Sequence, residues 1–338
     1  MTYLLSDEIQ RLLPEAEATD DRRKKWETKR NEIEQRVRAL IGTIPDPHLV
    51  QFNVISERQL SDRVILQNIC YSTYDDDLVS AYLLIPTGFS QKRFPAVLAL
   101  HQTAACGKDE VVGMKGDHEL AYGLELAERG FVVLAPDILT AGDRIFPGYE
   151  AFQTSPFEEK YPDWSMIGKM LCDHRHGVQL LSGLEYVDAE RIGAIGHSLG
   201  GYNAFFLSAF EPRIRATVSS CGFSSFAGDP TPQRWGLRKE WFTHFPALSP
   251  WLARGEIPFE FNEVVALTFP RAYFNWSTQN DAIFPHWQYA GKAMMTVQEL
   301  YESLEQPNKF VSLIGSGKHE FPQEIRIMAY EWLKNQLV

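Results

Sequence analysis

Long apolar runs alternate with helical patterns over the last two thirds of the chain. The first run is FPAVLALH at residues 94–101, and a helical pattern at 117–130 separates it from FVVLAPD at residues 131–137. The alternation continues with the runs RIGAIGHS, RATVSSCG, RAYFNWST and KFVSLIGSGKH, a short helix at YNAFFLSAF, and helical patterns near residues 165–187, 286–305 and 322–337. Strands that are apolar on both faces and alternate with helices are typical of a parallel sheet covered on both sides.

The N-terminal part of the chain has a different pattern. Residues 20–41 begin on an acidic cap and place Trp26, Ile33, Val37 and Leu40 at helical spacing, which predicts an amphipathic helix packed on the main domain. The runs VQFNVISERQL, RVILQNICYS and LVSAYLLIPTG that follow are β-rich or alternating, with polar turns between them. This pattern predicts antiparallel strands linked by hairpins.

We predict an α/β fold in a single domain. The helical extension would cover residues 1–45, the antiparallel strands 46–90 and the core 91–338, with aromatic-rich insertions at 138–164 and 223–262. In parallel sheets, ligands bind beyond the carboxyl ends of the strands. Long insertions at that edge form lids or pocket walls, or they only pack on the body, and the sequence leaves both interpretations open.

Composition and charge narrow the class of partner. The chain has 338 residues, 44% of them hydrophobic, and its 33 basic against 44 acidic residues give a formal charge of −11. Nucleic acid and anionic membrane surfaces would be repelled, so a small neutral or apolar partner is favoured.

Three features of the sequence bear on the cellular compartment. The start of the chain lacks a secretory signal pattern, no run reaches the roughly 18 apolar residues of a membrane helix, and the four cysteines are scattered. We therefore expect a cytoplasmic protein with free thiols.

One pentapeptide contains a candidate serine nucleophile. Gly196-His197-Ser198-Leu199-Gly200 has the G-x-S-x-G form of a nucleophile elbow, a strained strand-to-helix turn that exposes the serine oxygen above the sheet. An apolar strand precedes it and a helical pattern follows, as the motif requires. The glycines relieve crowding between strand and helix, and the N–H of Leu199 would face an acyl oxyanion.

A serine nucleophile needs a base, and the base needs a carboxylate. His319 follows the predicted strand KFVSLIGSG after the elbow and is the candidate base, with His286 as its competitor. Asp281 follows RAYFNWST and is the candidate acid, with Asp229 as the alternative. Either aspartate could instead be a turn or helix-cap residue.

The order Ser198, Asp281, His319 belongs to the α/β-hydrolase arrangement. From Phe94 to Val338 the chain resembles that superfamily, and APDILTAGDR, VDAERIGAIGHSLGG and GKHEF resemble its dienelactone hydrolase and acetyl xylan esterase branch. The resemblance implies an eight-stranded, mostly parallel sheet, no metal or other cofactor, and hydrolysis of a small-molecule carboxylic ester through an acyl-enzyme.

Two departures from the family pattern concern the site. Where relatives often have His-Gly, the chain has His101-Gln102-Thr103, so Thr103 would supply the second oxyanion N–H, while the side chain of Gln102 either intrudes on the pocket or adds a donor. We expect His101 to be structural. Enzymes that act on dienelactones use a cysteine at the elbow, so Ser198 favours ordinary esters.

Other functions stay open at this point. Cys172, Asp173, His174 and His176 look like a metal cluster. On a helix, however, His174 and His176 face different sides, so at best Cys172 and His176 share a face. An aminopeptidase or acyl-peptide hydrolase would use the same catalytic groups, although such relatives usually carry a large N-terminal propeller. A binding protein on a hydrolase scaffold is the alternative from another class. A homo-oligomer is possible through the N-terminal elements.

Overall fold

The parallel core and the N-terminal strands form one nine-stranded sheet. The computed structural model describes residues 12–13, 19–42, 44–238 and 241–337. The strands are β1 (Phe52–Ser61), β2 (Val64–Ser72), β3 (Leu78–Pro86), β4 (Phe94–Leu100), β5 (Val132–Pro136), β6 (Val187–His197), β7 (Ile214–Ser220), β8 (Ala272–Thr278) and β9 (Phe310–Gly315). Their order across the sheet is β1-β2-β3-β5-β4-β6-β7-β8-β9.

Strand direction follows the change of pattern along the sequence. β1 to β3 pair antiparallel, β3 joins β5 antiparallel, and β5, β4 and β6 to β9 are parallel. The expectation of eight strands was wrong, since the described part of the chain forms nine. The outermost strand β1 is exposed over residues 52–59 and is held by backbone pairing with β2, so it extends the sheet while only Leu60 at its end packs against the core.

Helices cover both faces of the sheet. They are α1 (Thr19–Ile41), α2 (Lys108–Val111), α3 (Tyr122–Ala127), α4 (Ser155–Lys160), α5 (Met166–Gly183), α6 (Leu199–Phe210), α7 (Ser249–Ala253), α8 (Phe261–Ala266), α9 (Trp287–Ser303) and α10 (Gln323–Gln336). Short 3₁₀ turns lie at Tyr74–Asp76, His118–Leu120, Gly142–Arg144, Pro232–Trp235, Pro246–Leu248 and Pro307–Lys309. Within the described part of the chain, no helix is long and apolar enough to cross a membrane.

The core lies in two layers, one on each face of the sheet. On one face Met170 of α5 and Phe205 of α6 pack in a cluster that also contains Trp26, Ile33 and Val37 of α1. On the other face α3 and α10 contribute apolar side chains. The predicted N-terminal helix is confirmed, and its apolar stripe is buried.

The two insertions are folded against the body. Residues 138–164 contain α4, and residues 223–262 contain α7 and the start of α8. Most aromatic side chains of the second insertion are buried against one another, among them Phe226, Phe259 and Phe261. The packing interpretation therefore holds for most of them, while Trp235 and Trp241 line a cavity.

Candidate active site

Ser198 occupies the sharp turn between β6 and α6. Its backbone angles are φ 52° and ψ −121°, in the left-handed half of backbone space that non-glycine residues avoid. Its N–H donates to the carbonyl of Ser220 on β7 at 2.8 Å, which ties the turn to the neighbouring strand. A strained serine between strand and helix is the geometry of a nucleophile elbow.

The glycines around Ser198 permit a close backbone approach. A Cβ atom on Gly196 would lie 2.2 Å from the carbonyl carbon of Gly200. A Cβ atom on Gly200 would lie 1.8 Å from the carbonyl oxygen of Leu100, and one on Gly201 would lie 2.9 Å from that of Ser220. The predicted steric role of these glycines is confirmed.

His319 and Asp281 lie at the ends of β9 and β8 and contact each other. Nδ1 of His319 lies 2.7 Å from Oδ2 of Asp281. The other carboxylate oxygen accepts the N–H groups of Ile283 at 2.7 Å and Phe284 at 3.1 Å. Burial works against the charge of Asp281, but the contact with His319 and the two N–H groups outweigh it and hold the pKa of the carboxyl below its ordinary value.

The second ring nitrogen of His319 is left for another partner. Nε2 is buried, and it makes no hydrogen bond to any residue that the structure describes. Because Nδ1 is directed to a carboxylate, it carries the proton, and Nε2 of the neutral ring is an acceptor. Ser198 and His319 line the same cavity.

The two competing residues are engaged elsewhere. Asp229 accepts the indole N–H of Trp235 at 3.0 Å and the N–H of Thr231 at 2.9 Å. Nε2 of His286 lies 2.9 Å from the carbonyl oxygen of Ser225, so this ring holds the backbone of the insertion at 223–262 in place. The geometry brings Asp281, and not Asp229, to His319.

The segment after β4 forms another part of the cavity. Thr103 and Gln102 line it, but the side-chain amide of Gln102 donates to Oε1 of Glu110 at 3.1 Å. His101 accepts the N–H of Ile138 on Nε2 at 3.2 Å, and its Nδ1 lies 2.6 Å from the carbonyl oxygen of Gln102. His101 therefore braces the segment, as expected of a structural residue.

The cavity beside Ser198 has a volume of about 460 Å³. Its wall comes from the segment after β4, the start of α6, the second insertion, the loop after β8 and the loop after β9. The lining residues are Gln102, Thr103, Ser198, Leu199, Tyr202, Arg234, Trp235, Arg238, Trp241, His244, Ala282, Ile283, Phe284 and His319. Sequence reasoning missed the two arginines, because charged residues in an irregular insertion produce no periodic signal.

His197, which precedes the serine, also escaped the sequence analysis. Its ring centroid lies 5.0 Å from that of His319, and its Nδ1 lies 2.9 Å from Oγ of Ser220. Burial and the neighbouring His319 lower the pKa of His197 to about 3, so this ring is neutral at physiological pH. The only available signal was its position beside Ser198.

Two groups of side chains resemble metal ligands. Cys221, Asp281 and His319 place one donor atom each within 4.8 Å of one another, but burial raises the pKa of the Cys221 thiol to about 12. A metal ligand must be a thiolate, so this set fits a carboxylate–imidazole pair better than a metal site. Sγ of Cys172 lies 3.7 Å from Nδ1 of His176, and the two side chains share a helix face as expected.

Part of the chain is similar to a known protein family. Residues 79–234 match the dienelactone hydrolase family. The match includes Thr103 and Ser198 and ends before Asp281 and His319. At the level of sequence, the protein YtaP of Bacillus subtilis (strain 168), whose name suggests a hydrolase, is 29% identical over 189 residues. The aligned part is 54% of this chain and spans about 60% of that relative's length.

Solved structures of low sequence identity share the fold. A glucuronoyl esterase from Solibacter usitatus superimposes with a TM-score of 0.73 at 17% identity, covering 93% of this chain and 94% of that one. A structure from Bacteroides fragilis NCTC 9343, whose title suggests an acetyl xylan esterase, gives a TM-score of 0.67 at 16% identity, covering 95% and 86%. The fold is therefore that of the α/β hydrolases.

Proposed function

We propose that the protein is a serine esterase that cleaves carboxylic esters of small molecules, because residues 79–234 match the dienelactone hydrolase family and the fold is shared with solved esterase structures. Ser198 is the nucleophile, His319 the general base and Asp281 the residue that orients the base. The N–H groups of Leu199 and Thr103 form the oxyanion hole. The domain match and the esterases among the structural neighbours support an ester as the substrate.

One observation carries the proposal. The carboxylate of Asp281 lies 2.7 Å from Nδ1 of His319, which leaves the acceptor nitrogen of that ring for the cavity that Ser198 lines. A histidine held in this tautomer can take a proton from a serine hydroxyl, and the carboxylate stabilises the resulting imidazolium.

In the first half of the reaction, Oγ of Ser198 forms a bond to the ester carbonyl carbon while its proton moves to Nε2 of His319. The carbonyl oxygen gains negative charge and is held by N–H donors, since Leu199 lies in the first turn of α6, where amide groups have no intrahelical partner. The carbon–oxygen bond to the alcohol then breaks, and the alcohol leaves with the proton from His319.

The second half releases the acid. His319 takes a proton from a water molecule as the water oxygen bonds to the acyl carbon. The bond between the acyl carbon and Oγ of Ser198 then breaks, and the serine regains its proton from Nε2. Atoms and charges balance without any further reactant, so the chemistry requires no cofactor.

The test is turnover of 4-nitrophenyl acetate by the wild-type protein and by Ser198→Ala, with circular dichroism to verify folding. The proposal predicts turnover that falls to background in the variant. Equal activity in the two proteins would overturn it. A parallel assay with aminoacyl 4-nitroanilides decides between esters and amides, and faster anilide cleavage would replace the esterase by an amidase.

A further inference from the structure

Two guanidinium groups face the cavity that contains Ser198. Arg234 and Arg238 both come from the insertion at 223–262 and line the same wall as Trp235 and Trp241. A formal charge of −11 makes the chain acidic as a whole, so a basic cavity wall runs against the average of the surface. Within the described residues, the wall contains no aspartate or glutamate.

Arg234 is already neutralised. Its Nη2 lies 3.1 Å from Oδ2 of Asp229, a carboxylate that is fully buried. Its Nη1 donates to the carbonyl oxygen of Ile283 at 3.1 Å. The ion pair and the hydrogen bond hold this side chain as part of the wall, and its charge is balanced by the protein itself.

Arg238 differs from Arg234, because no described residue pairs with its charge. Its guanidinium carbon lies 4.5 Å from the ring centroid of Trp241, so the aromatic face supports the planar cation. Among the residues that the structure describes, no carboxylate lies within ion-pair distance of it, and the nearby Arg234 repels it. Burial and this repulsion lower the pKa of Arg238, and Asp229 opposes the shift only in part.

A half-buried cation of this kind is stabilised by an anion brought in with the ligand. Guanidinium groups bind carboxylates through two parallel hydrogen bonds, and a single positive charge matches a monoanion better than a phosphate, which carries nearly two charges. The cavity volume of about 460 Å³ leaves room for such a group beside the ester that Ser198 attacks.

We propose that Arg238 forms a carboxylate subsite, and that the preferred substrate is an ester that also carries a free carboxylate, such as a monoester of a short dicarboxylic acid. The proposal rests on the esterase function. Trp241 supports the guanidinium from one face, while Ser198 and His319 line the cavity where the ester bond would lie.

The experiment compares two substrates that differ only in charge. Monoethyl adipate ends in a carboxylate, and ethyl 5-carbamoylpentanoate replaces that carboxylate by a neutral amide of nearly the same shape. Acid release in a pH-stat at pH 7.5 gives kcat/KM for each. We expect the wild-type protein to prefer the carboxylate by about 10- to 100-fold, mainly through a lower KM, the range of a hydrogen bond to a charged group.

The variants separate charge from packing. Arg238→Met keeps most of the apolar stem on Trp241 and should reduce the preference to below about 3-fold, whereas Arg238→Lys keeps the charge and should retain part of it. Arg254 is the matched control, because it also stacks on a tryptophan, Trp251, and lies outside the cavity wall. Arg254→Met should leave both kcat/KM values unchanged.

The outcomes separate this inference from the esterase function. Wild-type protein that hydrolyses both esters equally, or an Arg238→Met variant that keeps the full preference, would overturn the subsite while Ser198-dependent esterase activity stands. If the protein prefers an ester that carries a phosphonate over the same ester with a carboxylate, the carboxylate assignment is overturned. Absence of hydrolysis of either ester, together with failure of a fluorophosphonate to label the protein, would instead reject the esterase function.

Discussion

Nδ1 of His319 lies 2.7 Å from Oδ2 of Asp281, and the other oxygen of that carboxylate is held by two backbone N–H groups. The carboxylate is thus fixed at both oxygens, one by the ring it orients and one by the loop after β8. This arrangement explains why a residue at the end of β8 can hold a residue at the end of β9 in one tautomer.

Replacing Asp281 by asparagine should lower kcat by about 10³- to 10⁴-fold, because an amide stabilises neither the tautomer nor the imidazolium. The pKa of Asp281 lies below the ordinary 3.8, so its charge is present above that pH and is lost only as the pH falls further. The loss should therefore be similar at every pH from about 5 to 9 in a kcat profile.

Asp229→Asn is the control for this prediction. Asp229 bonds to Trp235 and pairs with Arg234, so its replacement should disturb the cavity wall and raise KM more than it lowers kcat. A larger fall in kcat for Asp229→Asn than for Asp281→Asn would show that Asp229, and not Asp281, orients the catalytic histidine.

Gln102→Ala should change kcat by less than about 3-fold, because the amide of Gln102 already donates to Glu110 and is not free to bind an oxyanion. Loss of a true oxyanion donor costs about 10²- to 10³-fold in kcat. Steady-state kinetics on a short ester distinguish the two, and a loss in the larger range would make Gln102 a donor in place of the N–H of Thr103.

Gly200→Ala should lower the free energy of unfolding by at least about 3 kcal/mol, or prevent folding, because its Cβ would lie 1.8 Å from the backbone oxygen of Leu100. Gly183, at the end of α5, has no atom within 4 Å of its Cβ position. Gly183→Ala should therefore change stability by no more than about 1 kcal/mol. Urea unfolding measures both, and equal stability of the two variants would contradict the close approach at the elbow.

His174 should make the protein less stable in acid. It is buried, neither ring nitrogen has a partner among the described residues, and burial lowers its pKa to about 3. The unfolded chain binds a proton at this residue below about pH 6.5 and the folded protein does not, so stability falls as the pH drops from about 6.5 towards 3.

At pH 5 this loss amounts to about 2 kcal/mol for one histidine. His174→Leu should remove that part of the difference in unfolding free energy between pH 7 and pH 5. His118→Leu, at an exposed position, should not alter the difference. A pH dependence that is the same in His174→Leu and wild type would show that His174 is protonated in the folded protein.

The sheet could be predicted because its strands are buried on both faces. The runs FPAVLALH and FVVLAPD correspond to β4 and β5 with little change of bounds. An uninterrupted apolar run between helical patterns is typical of a strand that is buried on both faces of a parallel sheet. The nine runs in the sequence also matched the nine strands, whereas the number implied by family resemblance was eight.

The cavity wall could not be predicted in the same way. Arg238 and Trp241 lie in a segment whose short helices have no periodic pattern, and their contact depends on how that segment packs on α6, where Trp235 and His244 contact Tyr202. Ser198, Asp281 and His319 were accessible from sequence only because each follows a recognisable strand.

Labelling of Ser198 tests the account most directly. The protein is incubated with a fluorophosphonate probe and digested, and the modified residue is located by tandem mass spectrometry. The account predicts a single adduct on Ser198, its absence in Ser198→Ala, and slower labelling in Asp281→Asn. An unlabelled wild-type protein, or an adduct on any other residue, would contradict it.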